Sequence, residues 1–581
     1  MPGNTPNRVR VSGRHDPTRT CDPASATRVD MLGFSPAAAV RHLLVLLALG
    51  GSLAAQAILP APPTPPGNPT TAAKVLLGKA LFWDEQLSSS RSVACGTCHI
   101  LEHGGADPRT QAALHPGLDD LFGTDDDAHG SPGVARHSAN GSLVASAQFG
   151  VQAQVTNRRA PSVINAAYAT SLFLDGRADD VFRDPLTGNV VLPSGGALEN
   201  QIAGPPVSSV EMAHLGRTWT DIANELPAMT PLRLATQIPA ALQQFLGNDD
   251  YGAVFARVFG SPGVTPVRII FAVAAYERSL ISDRSPFDLY LAGQGSLTTM
   301  QSLGLARFQT FCAACHTDLD PAVLVTGPVL NDFRNIGVRP VAEDAGRFAV
   351  TAALADRGRF RVPGLRNVAL RGSFFHNGSQ QTLVQVIDFY ARGGDFADNR
   401  DPLVDAINGH VFISDSLQLQ ALMNALTDPR VANGLPPFDR PRLWSEGLLA
   451  LAEFGTGTMG ATGLAPRVEG LGVPFRGNPA FGVGVDSLSP GQFSFVLLDV
   501  AGAAVPAPIL GQNIHLGITP ALQILPLGLS LTAAGGGGFA SAVFHLPPVG
   551  ASGTYWLQWA ALDASGPNGI VTSNALRFTV F

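Results

Sequence analysis

A mainly α-helical body of two domains, followed by a smaller all-β domain, is what this 581-residue sequence predicts. Three observations carry the prediction. A five-residue signature, Cys95-Gly96-Thr97-Cys98-His99, returns once as Cys312-Ala313-Ala314-Cys315-His316. Apolar residues at helical spacing surround both copies. Near Leu443 the composition shifts to short apolar runs between Gly/Pro/Ser clusters, a pattern of strands and turns.

C-x-x-C-H is the attachment signature of c-type haem. The thiols add across the porphyrin vinyl groups, and the adjacent histidine is placed to bind the iron. A zinc site could also use C-x-x-C pairs, but it leaves the histidine after each second cysteine unexplained. Two covalent haems are therefore expected, one on Cys95 and Cys98 with His99 as iron ligand, the other on Cys312 and Cys315 with His316. The helical body divides into two c-type cytochrome-like domains, 70–285 and 286–444. Charged residues make up only 14% of the chain and the net charge is −7, which excludes the basic footprint of a nucleic-acid binder. Mild acidity favours small basic partners only weakly.

Residues 1–57 read as an upstream segment and a signal peptide. Arg41 and His42 precede the apolar run Leu43–Leu49, and Ala55-Gln56-Ala57 matches a cleavage site. The run is too short for a membrane span flanked by charge, though an uncleaved anchor remains an alternative. Met31 reads as the true start, which discards Cys21 and leaves four cysteines, all haem thiols. Export to the periplasm follows, since c-type haem is attached outside the cytoplasm. Residues 58–69 form a Pro/Ala/Thr linker, expected to be extended and mobile. Helical spacing predicts a helix over Thr70–Trp83, and a polar turn leads to the first signature. Residues 102–157, rich in Gly, Asp and His, read as one long loop, which is unusual and often functional. Further helices are predicted over Ser162–Leu172, near Asn200, and over Ala240–Phe245, Val267–Leu280, Thr298–Phe311, Leu383–Tyr390 and Ser416–Leu426. Strand-like runs at Phe493–Leu498, Ile514–Ile518, Ala542–Leu546, Tyr555–Trp559 and Leu576–Phe581 predict a β-sandwich-like accessory domain over 455–581. With its own core, it should be dispensable for folding of the haem body. His515 reads as structural, and no chemistry is evident in this part.

Neither signature has a methionine shortly downstream, as a small electron carrier would, so an enzyme must be considered. Cleaving peroxide requires moving a proton between its oxygens, which calls for a carboxylate above an open haem. At this point the runs Leu77-Gly78-Lys79-Ala80-Leu81-Phe82, Ala160-Pro161-Ser162-Val163-Ile164-Asn165-Ala166 and Asp175-Gly176-Arg177-Ala178 matter. Together with Glu199-Asn200-Gln201, Glu211-Met212, Leu365-Arg366-Asn367 and Phe375-His376-Asn377-Gly378, they follow one order along the chain. From about Leu76 to Pro441 the sequence resembles the bacterial di-haem cytochrome c peroxidase/MauG family.

The resemblance implies that the His99 haem is peroxidatic and the His316 haem transfers or stores charge. The family's catalytic glutamine and glutamate fall on Gln201 and Glu211. A histidine that caps the resting peroxidatic iron falls on His115 by offset, with His129 and His137 competing in the same loop. The tryptophan usual between the haems is Leu174 here, which leaves the inter-haem route in doubt. The asparagine of an inter-domain calcium site falls on Arg159, where a cation opposes a divalent ion. The second iron's sixth ligand, methionine in peroxidases and tyrosine in MauG, falls on Tyr390. Core packing of Tyr390 and ligation by Met423 stay open. A phenolate there would lower the potential of that haem.

The leading expectation is a periplasmic peroxidase that reduces hydrogen peroxide with electrons from a small c-type cytochrome or cupredoxin; a homodimer is one assembly open to it. MauG-like oxidation of a partner protein via a high-valent di-haem state is the second. A non-enzymatic di-haem electron carrier is the third. Intact mass of the mature protein should show two haem additions on a chain beginning near Ile58; bound zinc or an unmodified mass would overturn the haem reading.

Overall fold

The computed structural model of the chain describes residues 59–319, 331–447, 451–533, 537–550 and 552–581. The signal segment 31–57 and Cys21 lie outside the described residues.

Each signature follows a helix that another helix crosses at very short range. Ala72–Phe82 begins at Thr71, whose hydroxyl accepts the Lys74 N–H. A Cβ at Gly78 would sit 1.8 Å from the Ala272 carbonyl oxygen, so Ala72–Phe82 and Pro266–Glu277 pack backbone on backbone. The second half repeats the device. Thr299–Phe311 starts on a Thr298/Gln301 capping box, and a Cβ at Gly304 would meet the Gln418 carbonyl at 2.1 Å, on helix Ile413–Ala425. These four helices, with Ala240–Leu246 and Leu383–Ala391, match the apolar periodicity to within a few residues. Trp219–Glu225, Tyr251–Phe259 and Pro286–Leu291 are additional helices that the sequence reading did not mark.

The helix expected over Ser162–Leu172 is not formed. Only a 3-10 turn, Ala166–Tyr168, is present, because Asn165 sits at φ 61° just before it. The same element recurs at Asn367 (φ 60°), followed by the turn Val368–Leu370. Phe173 and Phe375 match as well, at φ 61° and 65°, inside the paired bridges Leu172–Ala178 and Phe374–Gln380. Arg159, Pro161, Asn165, Phe173 and Gly176 thus have counterparts in Arg361, Pro363, Asn367, Phe375 and Gly378. The two halves of the body are built on one repeated element.

Residues 59–69 carry no helix or strand, but the expectation that the linker is mobile is corrected for them. Leu59 is buried beside Tyr168, whose hydroxyl donates to the Pro60 carbonyl (2.6 Å). Asn68 is fully buried and donates to Glu199 (2.8 Å) and the Phe271 carbonyl (3.1 Å). The loop expected over 102–157 also has structure. Leu114–His115 pairs with Ala128–His129, and Pro132–Ala135 pairs with Ala153–Val155.

The C-terminal region is β-rich. One sheet orders Gly538–Phe544 between Phe481–Leu488 and Leu531–Thr532, with Arg467–Leu471 at the other edge. A five-stranded sheet contains Phe493–Asp499, Gly553–Leu562 and Ile570–Val580, with Gln523–Leu529 and Ala452–Phe454 at its edges. Val468, Phe481, Val496, Trp559 and Phe578 share one core drawn from both sheets. Gly502–Ile509 and Gln512–Leu516 form a separate hairpin. His515 is buried on it, its Nε2 3.1 Å from the Thr456 carbonyl. No helix among the described residues is long and apolar enough to cross a membrane.

Beside its own core, this region shares apolar clusters with the helical body. Leu143, Ala145 and Val151 of the 102–157 insertion pack with Leu471 and Phe539. The Leu143 N–H donates to Ser541 Oγ (2.9 Å), and the Val151 N–H donates to Asp486 (3.1 Å). Trp444 packs with Leu234 and Val473, while Glu85 accepts the Trp444 and Ser445 N–H groups (2.6 and 3.1 Å). A chain ended at Trp444 should therefore expose the insertion. Limited proteolysis should cut within 129–152 faster than in the full chain, and equal rates would show that the insertion stands without the sheets.

Candidate active site

The first signature opens on a cavity of about 380 Å³. Cys95–Cys98 forms a single helical turn, in which the Thr97 hydroxyl accepts the Ala94 N–H (2.8 Å). A Cβ at Gly96 would lie 2.2 Å from the Trp83 ring, and Trp83 is held by its Nε1–H to the Tyr276 hydroxyl (2.9 Å). Glycine is therefore required between the cysteines. Both thiols line the cavity. Burial pushes them up, Cys98 to about 12 despite the Arg109 guanidinium 3.4 Å from its sulfur. A neutral thioether suits this setting better than a thiolate. Among the described residues, no group of three or more His, Cys, Asp or Glu could hold a metal ion, so the zinc alternative finds no ligand set.

His99 lines the same cavity. Its Nδ1 lies 3.2 Å from the Gly105 carbonyl, which can only accept, so Nδ1 carries the proton and Nε2 keeps its lone pair. That is the tautomer of an iron ligand, oriented by a backbone carbonyl. Burial holds the ring below its usual pKa, which keeps it neutral.

Gln201 and Glu211 line this cavity too. Gln201 rides the helix Ala197–Ile202. Glu211 closes a turn in which its N–H donates to the Ser208 carbonyl (3.1 Å), and burial pushes its carboxyl above the usual carboxylate range. The insertion reaches this turn through Gly133, where a Cβ would meet the Val210 carbonyl at 2.0 Å. His115 is a further lining residue, and its Nδ1 accepts the Gly117 N–H (3.2 Å). Its loop companions are engaged elsewhere. His129 Nδ1 pairs with the Thr110 carbonyl (3.1 Å), while His137 sits buried between Ser89 (2.9 Å) and the Ala135 carbonyl (2.7 Å).

Sequence reasoning missed Glu277. It lines the cavity at 3% exposure, and burial pushes its carboxyl up to about 8. The neighbouring Arg278 does not neutralise it, being clasped by both oxygens of Glu199 (2.8 and 2.7 Å). A lone acid ending a helix whose other charged residue, Arg268, lies in the first turn was the available signal.

The second signature caps helix Thr299–Phe311, with the His316 N–H donating to the Cys312 carbonyl (3.0 Å). Its surroundings are apolar, including Phe308, Leu319, Val368, Phe374 and Met423. Burial pushes the Cys312 thiol up to about 12. His316 Nδ1 is buried near the Pro363 carbonyl without reaching hydrogen-bond geometry. Tyr390 is half-buried, its ring 5.5 Å from Phe389 and 6.3 Å from Phe375. Burial, and the Cys312 and Cys315 thiols nearby, hold its phenol above the usual range. Met423 belongs to the apolar cluster, beside Leu419 and Leu422. Leu174 and Arg159 both line the first cavity. The paired buried thiols, an imidazole with a free nitrogen and an apolar surround are the donor set that covalent haem requires.

Comparison with known proteins agrees. The family model described as di-haem cytochrome c peroxidase matches residues 72–296. The cytochrome c551 peroxidase of Pseudomonas aeruginosa is 30% identical over 333 residues, covering 55% of this chain and 72% of that protein. The methylamine utilization protein MauG of Methylorubrum extorquens is 28% identical over 340 residues, 57% of this chain and 72% of that protein. The cytochrome c peroxidase Ccp of Escherichia coli is 29% identical over 333 residues, 56% of this chain but only 54% of that protein. With its two C-x-x-C-H signatures and this breadth of similarity, the chain belongs to the di-haem cytochrome c peroxidase family.

Proposed function

We propose that this protein is a periplasmic peroxidase that reduces hydrogen peroxide to water, using electrons from a small c-type cytochrome or cupredoxin. The observation that carries the reading is the gathering of Cys95, Cys98, His99, Gln201 and Glu211 around one cavity. Cys95, Cys98 and His99 would hold the first haem, and Cys312, Cys315 and His316 the second. Haem bound at these sites supplies the redox iron that peroxide reduction needs. Each peroxide takes up two electrons and two protons and leaves as two waters. Glu211 is suited to the proton transfer: it lines the cavity, and burial raises its carboxyl above the usual carboxylate range, which makes it a readier proton acceptor. The Gln201 amide, with a donor and an acceptor, would orient the peroxide oxygens. His115 in the wall is the residue able to cap the site at rest.

The chain organisation we favour is two c-type haem domains, 70–285 and 286–444, and a sandwich-like accessory domain over 455–581. A second reading, MauG-like oxidation of a partner protein, draws support from Tyr390. Its phenol lies close enough to Cys312 and Cys315 to feel both thiols, and as an iron ligand it would stabilise the ferric state.

Glu211→Gln should leave both haem spectra intact and slow peroxide turnover by roughly 10²-fold or more, the range for losing a positioned acid–base group. An unchanged rate would remove Glu211 from the mechanism. The carboxyl of Glu277 has its pKa raised on folding, from 4.5 to about 8. Its ionisation in the unfolded chain alone must cost stability progressively between those values, with the full loss reached above the upper one. Thermal unfolding across pH 5–9 should therefore show Glu277→Gln gaining on the wild type as pH rises. Parallel profiles would mean that a partner neutralises Glu277 in the holoprotein.

A further inference from the structure

Two arginines sit at equivalent places in the repeated element, each six residues ahead of its left-handed asparagine: Arg159 before Asn165, and Arg361 before Asn367. They cross between the repeats reciprocally. The Arg159 N–H donates to the His376 carbonyl (2.8 Å), and its Nε–H donates to the Phe375 carbonyl (3.2 Å). The Arg361 N–H donates to the Leu174 carbonyl (2.7 Å), and its Nε–H donates to the Phe173 carbonyl (3.3 Å). Each guanidinium therefore reaches across to the strained phenylalanine of the other repeat, while Arg159 also donates through Nη1 to the Ala160 carbonyl of its own (3.2 Å).

Both residues are more than nine-tenths buried, at 4% and 6% exposure, and both line the cavity that holds Cys95 and Cys98. Neither forms an ion pair with a carboxylate among the described residues, although their neighbour Arg158 takes two, Asp175 and Asp344. A third buried arginine, Arg371 at 8% exposure, donates only to the Gly364 and Arg366 carbonyls, and its Nε has no partner. It is close enough to both for the like charges to repel. Arg371 feels the Asp318 carboxylate, but Arg159 and Arg361 have no such neighbour. A buried charge without a counterion is costly, and two share one cavity, so the fold leaves room for anions that the chain itself does not provide.

We propose that Arg159 and Arg361 are a reciprocal pair that binds the propionate carboxylates of the haems at the junction of the repeats, with Arg371 supplying further positive charge. Guanidinium and carboxylate match as fork to fork, and burial strengthens the pair. The chain's own side chains then provide the positive charge at this junction, and no divalent ion is needed there. This inference rests on the di-haem reading.

The test uses the full-length holoprotein and its Arg159→Gln, Arg361→Gln, Arg159→Lys and Arg361→Lys variants. Intact mass counts the haems independently of the arginines; a wild type without two haems would refute the di-haem reading instead. With two haems in place, each Gln variant should show a lowered midpoint potential for a haem, because a lost cation no longer disfavours the ferric state, and Lys should restore part of the shift. Unchanged potentials in both Gln variants would overturn the proposal. Should those variants fail to fold, the wild type decides. Its Soret spectrum and potentials should not respond to calcium chloride, to a calcium chelator or to added formate. A response to calcium would place a divalent ion at the junction, and a response to formate would mean that the arginines bind free anions; either overturns the assignment.

Discussion

Ser282, fully buried, ties the repeated elements together. Its N–H donates to the Asn165 side-chain oxygen (2.8 Å), and its carbonyl accepts from the Asn165 amide (3.0 Å). Its hydroxyl accepts from the Asn367 amide (2.8 Å) and donates to Asp428 (3.2 Å). The Asp428 N–H closes the ring on the Asn367 side-chain oxygen (2.9 Å). Both asparagines occupy the left-handed region, which their short polar side chains tolerate and most residues do not. Removing either amide would strand a buried partner, at a cost of about 1–3 kcal/mol for each unmet group. The turn geometry of both repeats hangs on this network, and with it the placement of Phe173 and Phe375.

From that centre the cavity is assembled out of distant pieces. The signature turn provides thiols and an imidazole, the segment 197–211 provides an amide and a carboxyl, and helix Pro266–Glu277 provides a second acid. The insertion supplies His115 and the Gly133 contact behind Glu211. The C-terminal sheets touch that insertion at Leu143 and Val151, and the helical body again at Leu234 and Trp444. The two acids in the cavity, Glu211 and Glu277, are both raised by burial, and among the described residues neither is ion-paired, which suits groups that exchange protons.

Much of this was legible in the residues themselves. The two signatures named the cofactor chemistry, and apolar periodicity placed the helices that flank them, because helices on a buried core must repeat every three to four residues. The misreadings share a cause. Ser162–Leu172 carries helical spacing, yet Asn165 turns left-handed because Ser282 holds its side chain, a partner 117 residues away. Residues 58–69 look like a free linker until Asn68 meets Glu199. The 102–157 insertion has little periodicity of its own because its strands are two to four residues long and its apolar cover comes from the C-terminal sheets.

The sequence by itself determined the two C-x-x-C-H signatures, most of the long helices and the change to strands near residue 450, since each depends on neighbours along the chain. Only the tertiary structure decided which carboxyls share the cavity, that Glu277 is one of them, and that Arg159 and Arg361 cross between repeats. Those facts depend on burial and on partners far apart in the chain. Whether a charge is solvated or left without a counterion is settled by what folding brings around it.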